Sequence, residues 1–138
     1  MPAQDKFLES VLRALIKEGW TITDQEVRLP FDATNSYIDF LAERTLIAER
    51  GAEKIAVEVK TFAGKSVLSE LEKALGQFLV YKTALALAQM EHDLYLAAPA
   101  DMGDFFKRPA ATQLRENFGI KVVIYDAPKE EIIEWIEP

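Results

Sequence analysis

The chain has 138 residues, a net charge of −7 and no cysteine. Its length suits one domain with a real core, so we expect residues 1–138 to form a single domain. The lack of cysteine excludes disulfides and thiolate metal sites. The acidic charge argues against a protein that coats nucleic acid by bulk electrostatics.

The chain also lacks signals for membranes or export. No apolar run is long enough to span a bilayer. The first ten residues, MPAQDKFLES, have neither the basic start nor the apolar middle of a secretory signal. We therefore expect a cytoplasmic protein with no membrane partner.

The first predicted element is an amphipathic helix over residues 4–17. Gly19 follows it, at a position where a left-handed residue commonly ends a helix. The alternating stretch WTIT then indicates a short strand, and LPFDATNS, residues 29–36, has the composition of a loop. The apolar residues of the helix recur at helical spacing and are predicted to face the core: Phe7, Leu8, Val11, Leu12, Leu15 and Ile16.

A β-hairpin is predicted next. Residues 37–49 carry β-formers but are long for one strand, so we expect a bend or a break within them. Gly51, in the stretch RGAEK, supplies a turn. The stretch KIAVEVKTF, residues 54–62, is the clearest strand in the sequence. Two strands joined by such a turn pair in antiparallel fashion.

The second half of the chain begins with a long predicted helix over residues 66–90, with Ser66 as its N-cap. DLYLAAP and IKVVIYD are predicted strands, and between them residues 101–118 contain a helix that is irregular around Pro109. The pattern of EEIIEWI does not decide between helix and strand. The long helix is predicted to bury one apolar stripe: Val67, Leu68, Leu71, Leu75, Phe78 and Leu79.

This order of elements predicts an α/β protein. Strands that are separated by helices of this length pair in parallel, whereas the hairpin adds an antiparallel part. We therefore expect one mixed central β-sheet flanked by helices.

Charged residues on the clearest strand raise a question of function. Side chains alternate along a strand, so Glu58 and Lys60 share one face. One interpretation is an exposed strand face with a cross-strand ion pair, which contributes little to stability.

In the other interpretation, the hairpin places Asp39 on the strand next to the one that carries Glu58, so that the two carboxylates can meet. Two close carboxylates repel each other unless a cation bridges them, and oxygen ligands suit Mg²⁺ or its substitute Mn²⁺. Lys60 would then position or deprotonate an attacking water, or it would stabilise the negative charge that develops on a phosphate.

The order Asp39, then Glu58-Val59-Lys60, resembles the PD-(D/E)xK nuclease signature. The stretch GQFLVY adds Gln77 and Tyr81, which are one turn apart on one helix face. A Gln-x-x-x-Tyr pair after the E-x-K strand resembles RecB-like nucleases, in which the Gln orients the site and the Tyr faces DNA or the sheet. The alternative for both residues is a helix edge that packs against the core. The signature's proline is missing, since Tyr and Ile precede Asp39.

Related nucleases often have another acid at the position of Glu9. The position of Glu9 on its helix, taken alone, favours a solvated helix residue instead. The resemblance implies a site with Asp39 and Glu58 as metal ligands and with Lys60, Gln77, Tyr81 and Glu9 as further catalytic candidates.

The chain as a whole is similar to the XisH family. The similarity is carried by MPAQDKFLESVLRALIKEGWTIT, IAVEVKTF, LEKALGQFLVYKTAL, LYLAAP and EWI. It implies a restriction-endonuclease-like fold and an accessory role in excising the fdxN element of cyanobacteria, a DNA recombination event. The implied partners are a site-specific recombinase and an XisI-like protein, with DNA as a further one. We prefer this role to the alternative, an active Mg²⁺-dependent DNA endonuclease. The sequence leaves the oligomeric state open, a homo-oligomer included.

Overall fold

The computed structural model describes residues 3–25, 28–30, 37–39, 45–64 and 66–138. Within these ranges, eight strands form two sheets. A small sheet pairs β2 (Arg28–Pro30) with β3 (Tyr37–Asp39). The main sheet has six strands, which in spatial order are β1 (Thr21–Asp24), β4 (Thr45–Arg50), β5 (Glu53–Val59), β6 (Asp93–Pro99), β7 (Lys121–Asp126) and β8 (Glu131–Ile136).

The helices lie close to their predicted positions. They are α1 (Ala3–Lys17), α2 (Val67–Leu87), α3 (Gly103–Lys107) and α4 (Pro109–Phe118), with a 3₁₀ turn, Ala100–Met102, before α3. The hydroxyl of Ser66 accepts a hydrogen bond from the Ser69 N–H at 3.2 Å, which confirms the predicted N-cap. The predicted irregularity near Pro109 is confirmed as well, since proline begins α4 at a position that needs no N–H donor. None of the described helices combines the length and the apolar character that crossing a membrane requires.

The main sheet is mixed, as predicted. Strands β5, β6 and β7 run parallel, because helices cross over between them. The pairs β1–β4, β4–β5 and β7–β8 are antiparallel. Gly51 joins β4 to β5 with φ +63°, a left-handed conformation that glycine adopts without steric cost. The predicted hairpin is thereby confirmed.

Helices pack on both faces of the main sheet. On one face, Val11 and Leu15 of α1 pack in a core cluster with Val57 and Val59 of β5. On the other face, Leu71 and Phe78 of α2 and Phe106 of α3 pack in a second cluster with Ala56 and Leu96. The alternation of side chains along β5 therefore sends Glu58, like Ala56, toward the α2 side.

Three predictions about strands and loops are corrected or completed. The stretch 37–49 contains two strands, β3 and β4, so the expected break is confirmed; residues 40–44 lie outside the described part of the chain. Leu29 and Pro30 belong to β2, whereas the sequence predicts a loop there, and the rest of that loop, 31–36, is not described. The last element, which the pattern left open, is strand β8.

The predicted apolar stripes are partly wrong. Ile16 of α1 is 51% exposed. On α2, Leu71 and Phe78 are buried, but Leu68 is 65% and Leu79 39% exposed. The buried side of α2 follows Leu71, Ala74, Phe78 and Leu85 instead. Apolar residues occur all around this helix, so periodicity alone does not show which face meets the sheet.

Candidate active site

Glu58 is a buried acid in a central strand. It lies opposite Thr45 of β4 and Leu96 of β6, and it is only 3% exposed. Burial raises the pKa of its carboxyl from 4.5 to about 7, because the charged form loses its hydration; the nearby Lys60 partly opposes this shift. The interpretation of Glu58 as part of an exposed strand face is therefore wrong.

Lys60 and Gln77 complete a cluster around this acid. Lys60 follows the last residue of β5, and its Nζ lies 3.6 Å from Glu58 Oε1. The same ammonium donates a hydrogen bond to Gln77 Oε1 on α2. The three side chains form what we call the Glu58–Lys60–Gln77 cluster, in which one ammonium links a strand carboxylate to a helix amide. The sequence predicted these residues together, and the structure brings them together.

The backbone of Lys60 is held from two sides. Its N–H donates to the Ala97 carbonyl, and its own carbonyl accepts a hydrogen bond from the Tyr125 hydroxyl, each at 2.9 Å. The chain then turns at Phe62, whose φ of +53° is uncommon for a bulky residue. The Phe62 ring packs edge-on against Phe106, with 5.8 Å between centroids. These contacts fix the point from which the Lys60 side chain leaves the strand.

Sequence reasoning missed Tyr125 and Phe62. A usable signal existed only for Tyr125. It is the last but one residue of a strongly apolar strand, and a buried tyrosine hydroxyl generally needs a hydrogen-bond partner. The sequence does not identify that partner, since Lys60 is 65 residues away.

One oxygen of the cluster is left over. Glu58 Oε2 is buried, and it has no hydrogen-bond partner among the described residues. An orphaned carboxylate oxygen is costly in a protein interior, and a divalent cation is one partner that satisfies it. The donor set therefore suits an oxygen-ligated metal at Glu58. Within the described residues, however, no group of three or more acidic, histidine or cysteine side chains is placed so that it could hold a metal ion.

Asp39, the second predicted ligand, lies on β3. There it pairs with Arg28 of β2, in the small sheet. The expectation that Asp39 lies on the strand beside Glu58 is wrong, because β4 occupies that place with Thr45 opposite Glu58. The Asp39 side chain is outside the described part of the chain, so the approach of the two carboxylates stays a prediction.

The two other candidates differ in their positions. Tyr81 lies one turn beyond Gln77, half-buried, with its ring packed against the core cluster between α2 and the sheet. Glu9 lies on α1, which packs on the other face of the sheet. It is exposed and 3.7 Å from Arg13, and Arg13 in turn binds Glu130 at 2.7 Å. The structure does not bring Glu9 to the cluster.

A cleft of about 470 Å³ opens where β5, β6 and β7 end. Its lining includes Thr61 and Phe62, directly after Lys60, and the acids Asp101 and Asp126 from the neighbouring strand ends. Open α/β sheets generally bind ligands beyond the carboxyl ends of their parallel strands. The cleft borders the strand end that carries Lys60, but its lining includes none of the three side chains Glu58, Lys60 and Gln77.

Fold and site together define a mixed α/β protein with a buried carboxyl and a neighbouring, partly exposed lysine at the end of a central strand. A family model described as "XisH protein" matches residues 1–133. That match spans nearly the whole sequence, and the chain belongs to the XisH family.

Two solved structures are similar to this chain. An XisH family protein from Nostoc punctiforme shares 37% identity and a TM-score of 0.82, over 95% of this chain and 98% of that one. An fdxN element excision controlling factor protein from Anabaena variabilis shares 36% identity and a TM-score of 0.83, over 96% of this chain and 98% of that one. A search among curated proteins finds no match.

Proposed function

We propose that this chain is an accessory factor that controls the site-specific excision of a DNA element of the fdxN type. The observation that carries the proposal is its likeness, over 96% of its length, to the excision controlling factor of Anabaena variabilis. The proposal extends to a PD-(D/E)xK, restriction-endonuclease-like ancestry for the fold, supported by the order of Glu58, Lys60 and Gln77. The proposed partners are a site-specific recombinase and an XisI-like protein.

The charge of the chain supports an accessory role. With a net charge of −7, it is poorly suited to bind phosphates unaided, since nucleic-acid affinity depends on clustered lysine and arginine. A recombinase that already holds the element would supply the DNA contact. This chain would then act through protein contacts and through the Glu58–Lys60–Gln77 cluster.

Excision can be tested in a host that carries the element. The chromosomal gene is deleted and replaced by wild type, Glu58→Ala or Glu116→Ala, and the recombined junction is quantified by amplification. Glu116 is an exposed acid on α4 and serves as the matched control. We expect wild type and Glu116→Ala to restore excision and Glu58→Ala to fail. Undiminished excision in the deletion strain would refute the accessory role. Full rescue by Glu58→Ala would show that the cluster is not needed for it.

A second candidate function is Mg²⁺-dependent DNA cleavage. The observation that favours it is the orphaned Glu58 Oε2 beside the Lys60 ammonium. Asp39 and Glu58 would hold Mg²⁺, or Mn²⁺ in its place, and the ion would supply Lewis-acid help at a phosphodiester. Lys60 would orient the attacking water or balance the charge that develops on the phosphate. Gln77, by accepting a hydrogen bond from Lys60, would orient that ammonium.

Cleavage is tested with purified protein on supercoiled, linear and single-stranded DNA, with Mg²⁺, Mn²⁺ or EDTA. We expect cutting that depends on the divalent ion, is lost in Glu58→Ala and is retained in Glu116→Ala. Lys60→Ala should lower the rate by about 10²-fold or more, as for the loss of a group that stabilises developing charge. If no DNA form is cut with either ion, the endonuclease candidate fails while the excision role stands.

A further inference from the structure

A second cavity, of about 280 Å³, opens at the amino ends of β6 and β7. Its lining includes Asp93 and Lys121, the residues that begin these two strands. Lys60 leaves β5 at the opposite, carboxyl end of the same parallel strands. This amino-end cavity is therefore separate from the Glu58–Lys60–Gln77 cluster, and the proposed function does not use it.

The floor of the amino-end cavity is apolar. Phe78 and Leu85 of α2 and Leu94 of β6 line it, and each of them is at most 5% exposed. Met90 adds a thioether, a group that packs favourably against aromatic rings. An apolar cavity of about 150 Å³ is large enough to hold benzene. The 280 Å³ of this cavity therefore suits one aromatic ring with a short chain attached.

One positive charge at the cavity is not compensated. Lys82 of α2 belongs to the lining, and it makes no hydrogen bond or ion pair with any residue that the structure describes. A Cβ on Gly119, at the end of α4, would lie only 2.8 Å from Lys82 Nζ, so the ammonium uses space that a side chain there would fill. Lys121, by contrast, is neutralised by Asp93, whose Oδ1 lies 3.3 Å from its Nζ.

The single histidine of the chain lines the same cavity. The Nδ1 atom of His92 is buried, and it has no hydrogen-bond partner among the described residues. Burial lowers the pKa of the imidazole, and the charge of Lys54 lowers it further. The ring is therefore neutral at pH 7, and a ligand that forms a hydrogen bond with it would remove the cost of an unsatisfied nitrogen.

We propose that the amino-end cavity binds a small aryl carboxylate, with its ring on the apolar floor and its carboxylate at the Lys82 ammonium. A carboxylate carries one negative charge, which matches the one uncompensated positive charge. A phosphate monoester carries about −1.5 to −2 at neutral pH. Its excess charge would face the Asp93 carboxylate and the carbonyl end of α4, where Gly119 is the C-cap, and both repel anions.

Proton NMR of His92 tests the proposal, because the only histidine gives an easily identified Cε1–H resonance. Titration of 3-phenylpropionate into the chain at pH 7 should shift this resonance saturably, with a dissociation constant of about 1 mM for a ligand of roughly eleven non-hydrogen atoms. The neutral 3-phenylpropanol, and acetate, which has no ring, should each bind at least about tenfold more weakly. The absence of a saturable shift up to about 20 mM 3-phenylpropionate would overturn the proposal. Equally tight binding of 3-phenylpropanol, or tighter binding of phenyl phosphate, would overturn the choice of a carboxylate.

Replacement of Lys82 tests the position of the carboxylate. Lys82→Met keeps the stem of the side chain and removes the charge, so it should weaken binding of 3-phenylpropionate at least about tenfold. Lys73→Met is the matched control, since Lys73 is an exposed lysine of α2 outside the cavity lining. Equal affinities of the two variants would overturn the assignment to Lys82.

Replacement of Ala86 tests the position of the ring. Ala86 is an exposed residue of the lining, so Ala86→Trp should close the cavity without altering the buried core and should abolish binding. Ala110→Trp, at an exposed position of α4 outside the lining, should bind as wild type does. Unchanged affinity in Ala86→Trp would place the ligand elsewhere and overturn the proposal.

Discussion

Ionisation of Glu58 is coupled to folding. Its carboxyl has a pKa of about 7 in the folded chain, raised mainly by burial from an ordinary value of 4.5. Between these values the folded state holds a proton that the unfolded state has lost. The contribution of this bound proton to the free energy of unfolding is thus fully present below pH 4.5, and it is lost as the pH rises through 7.

Replacement of Glu58 by Gln should remove this pH dependence. In wild type, Glu58 should make the free energy of unfolding greater at pH 5 than at pH 8, by at most about 3 kcal/mol. Urea unfolding of wild type and Glu58→Gln at both pH values, with EDTA present, measures the effect. If the stability of the variant changes between pH 5 and pH 8 by as much as that of wild type, the pH dependence does not come from Glu58.

Tyr125 is expected to contribute through its hydroxyl alone. Tyr125→Phe leaves the Lys60 carbonyl without its 2.9 Å donor while preserving the ring in the core. Loss of one buried hydrogen bond should lower the free energy of unfolding by about 1–2 kcal/mol. Chemical denaturation of the purified variant measures this loss, and an unchanged midpoint would show that the hydrogen bond carries no net stability.

Local spacing was sufficient to predict part of the site. Alternation along β5 places Glu58 and Lys60 on one face, and the position of Gln77 on α2 lets it reach the lysine. The bond from Tyr125 to Lys60 could not be predicted in this way, because it depends on the parallel pairing of β5, β6 and β7 across many residues. Asp39 shows the opposite error: chain order suggested a neighbouring strand, but β4 takes that place.

Helix α4 is anchored by one buried cation. Arg115 is only 7% exposed. Its guanidinium donates to the carbonyl of Phe106 at 3.0 Å, to the carbonyl of Glu137 at 2.7 Å and to Thr112 Oγ1 at 3.1 Å. It therefore ties the end of α3 and the last residues of the chain to α4.

Arg115→Met should loosen this corner of the molecule. It leaves two carbonyls without their charged donor, so we expect a loss of about 2–4 kcal/mol. Arg108→Met, at the exposed residue before α4, should stay within about 0.5 kcal/mol. Thermal unfolding of both variants makes the comparison, and equal losses would contradict the anchoring role.

Elements with strong periodicity were predicted well, and the others less so. The helices predicted at 4–17 and 66–90 occur as Ala3–Lys17 and Val67–Leu87. The face that α2 buries was not predicted correctly, because leucines and valines occur on its outer side too. EEIIEWI has too few residues to separate the two periodicities, and its strand character follows from pairing with β7.

At the scale of the whole molecule, helices pack on both faces of the main sheet. Helix α1 packs on one face and α2 on the other, so the buried carboxyl of Glu58 lies on the side of the sheet that α2 covers. The chain belongs to the XisH family, and it is similar to two solved structures over nearly its full length. Neither reveals the chemistry of Glu58, on which our account of the site depends.

Calorimetric titration of Mn²⁺ and Mg²⁺ tests that account most directly. The titration is run at pH 8, above the pKa of Glu58, so that the carboxylate is charged before the metal is added. We predict that wild type and the control Glu116→Ala bind one ion per chain, and that Glu58→Ala binds at least tenfold more weakly. Wild type that gives no binding heat with either ion, or Glu58→Ala that binds as tightly as wild type, would contradict a divalent-cation site at Glu58.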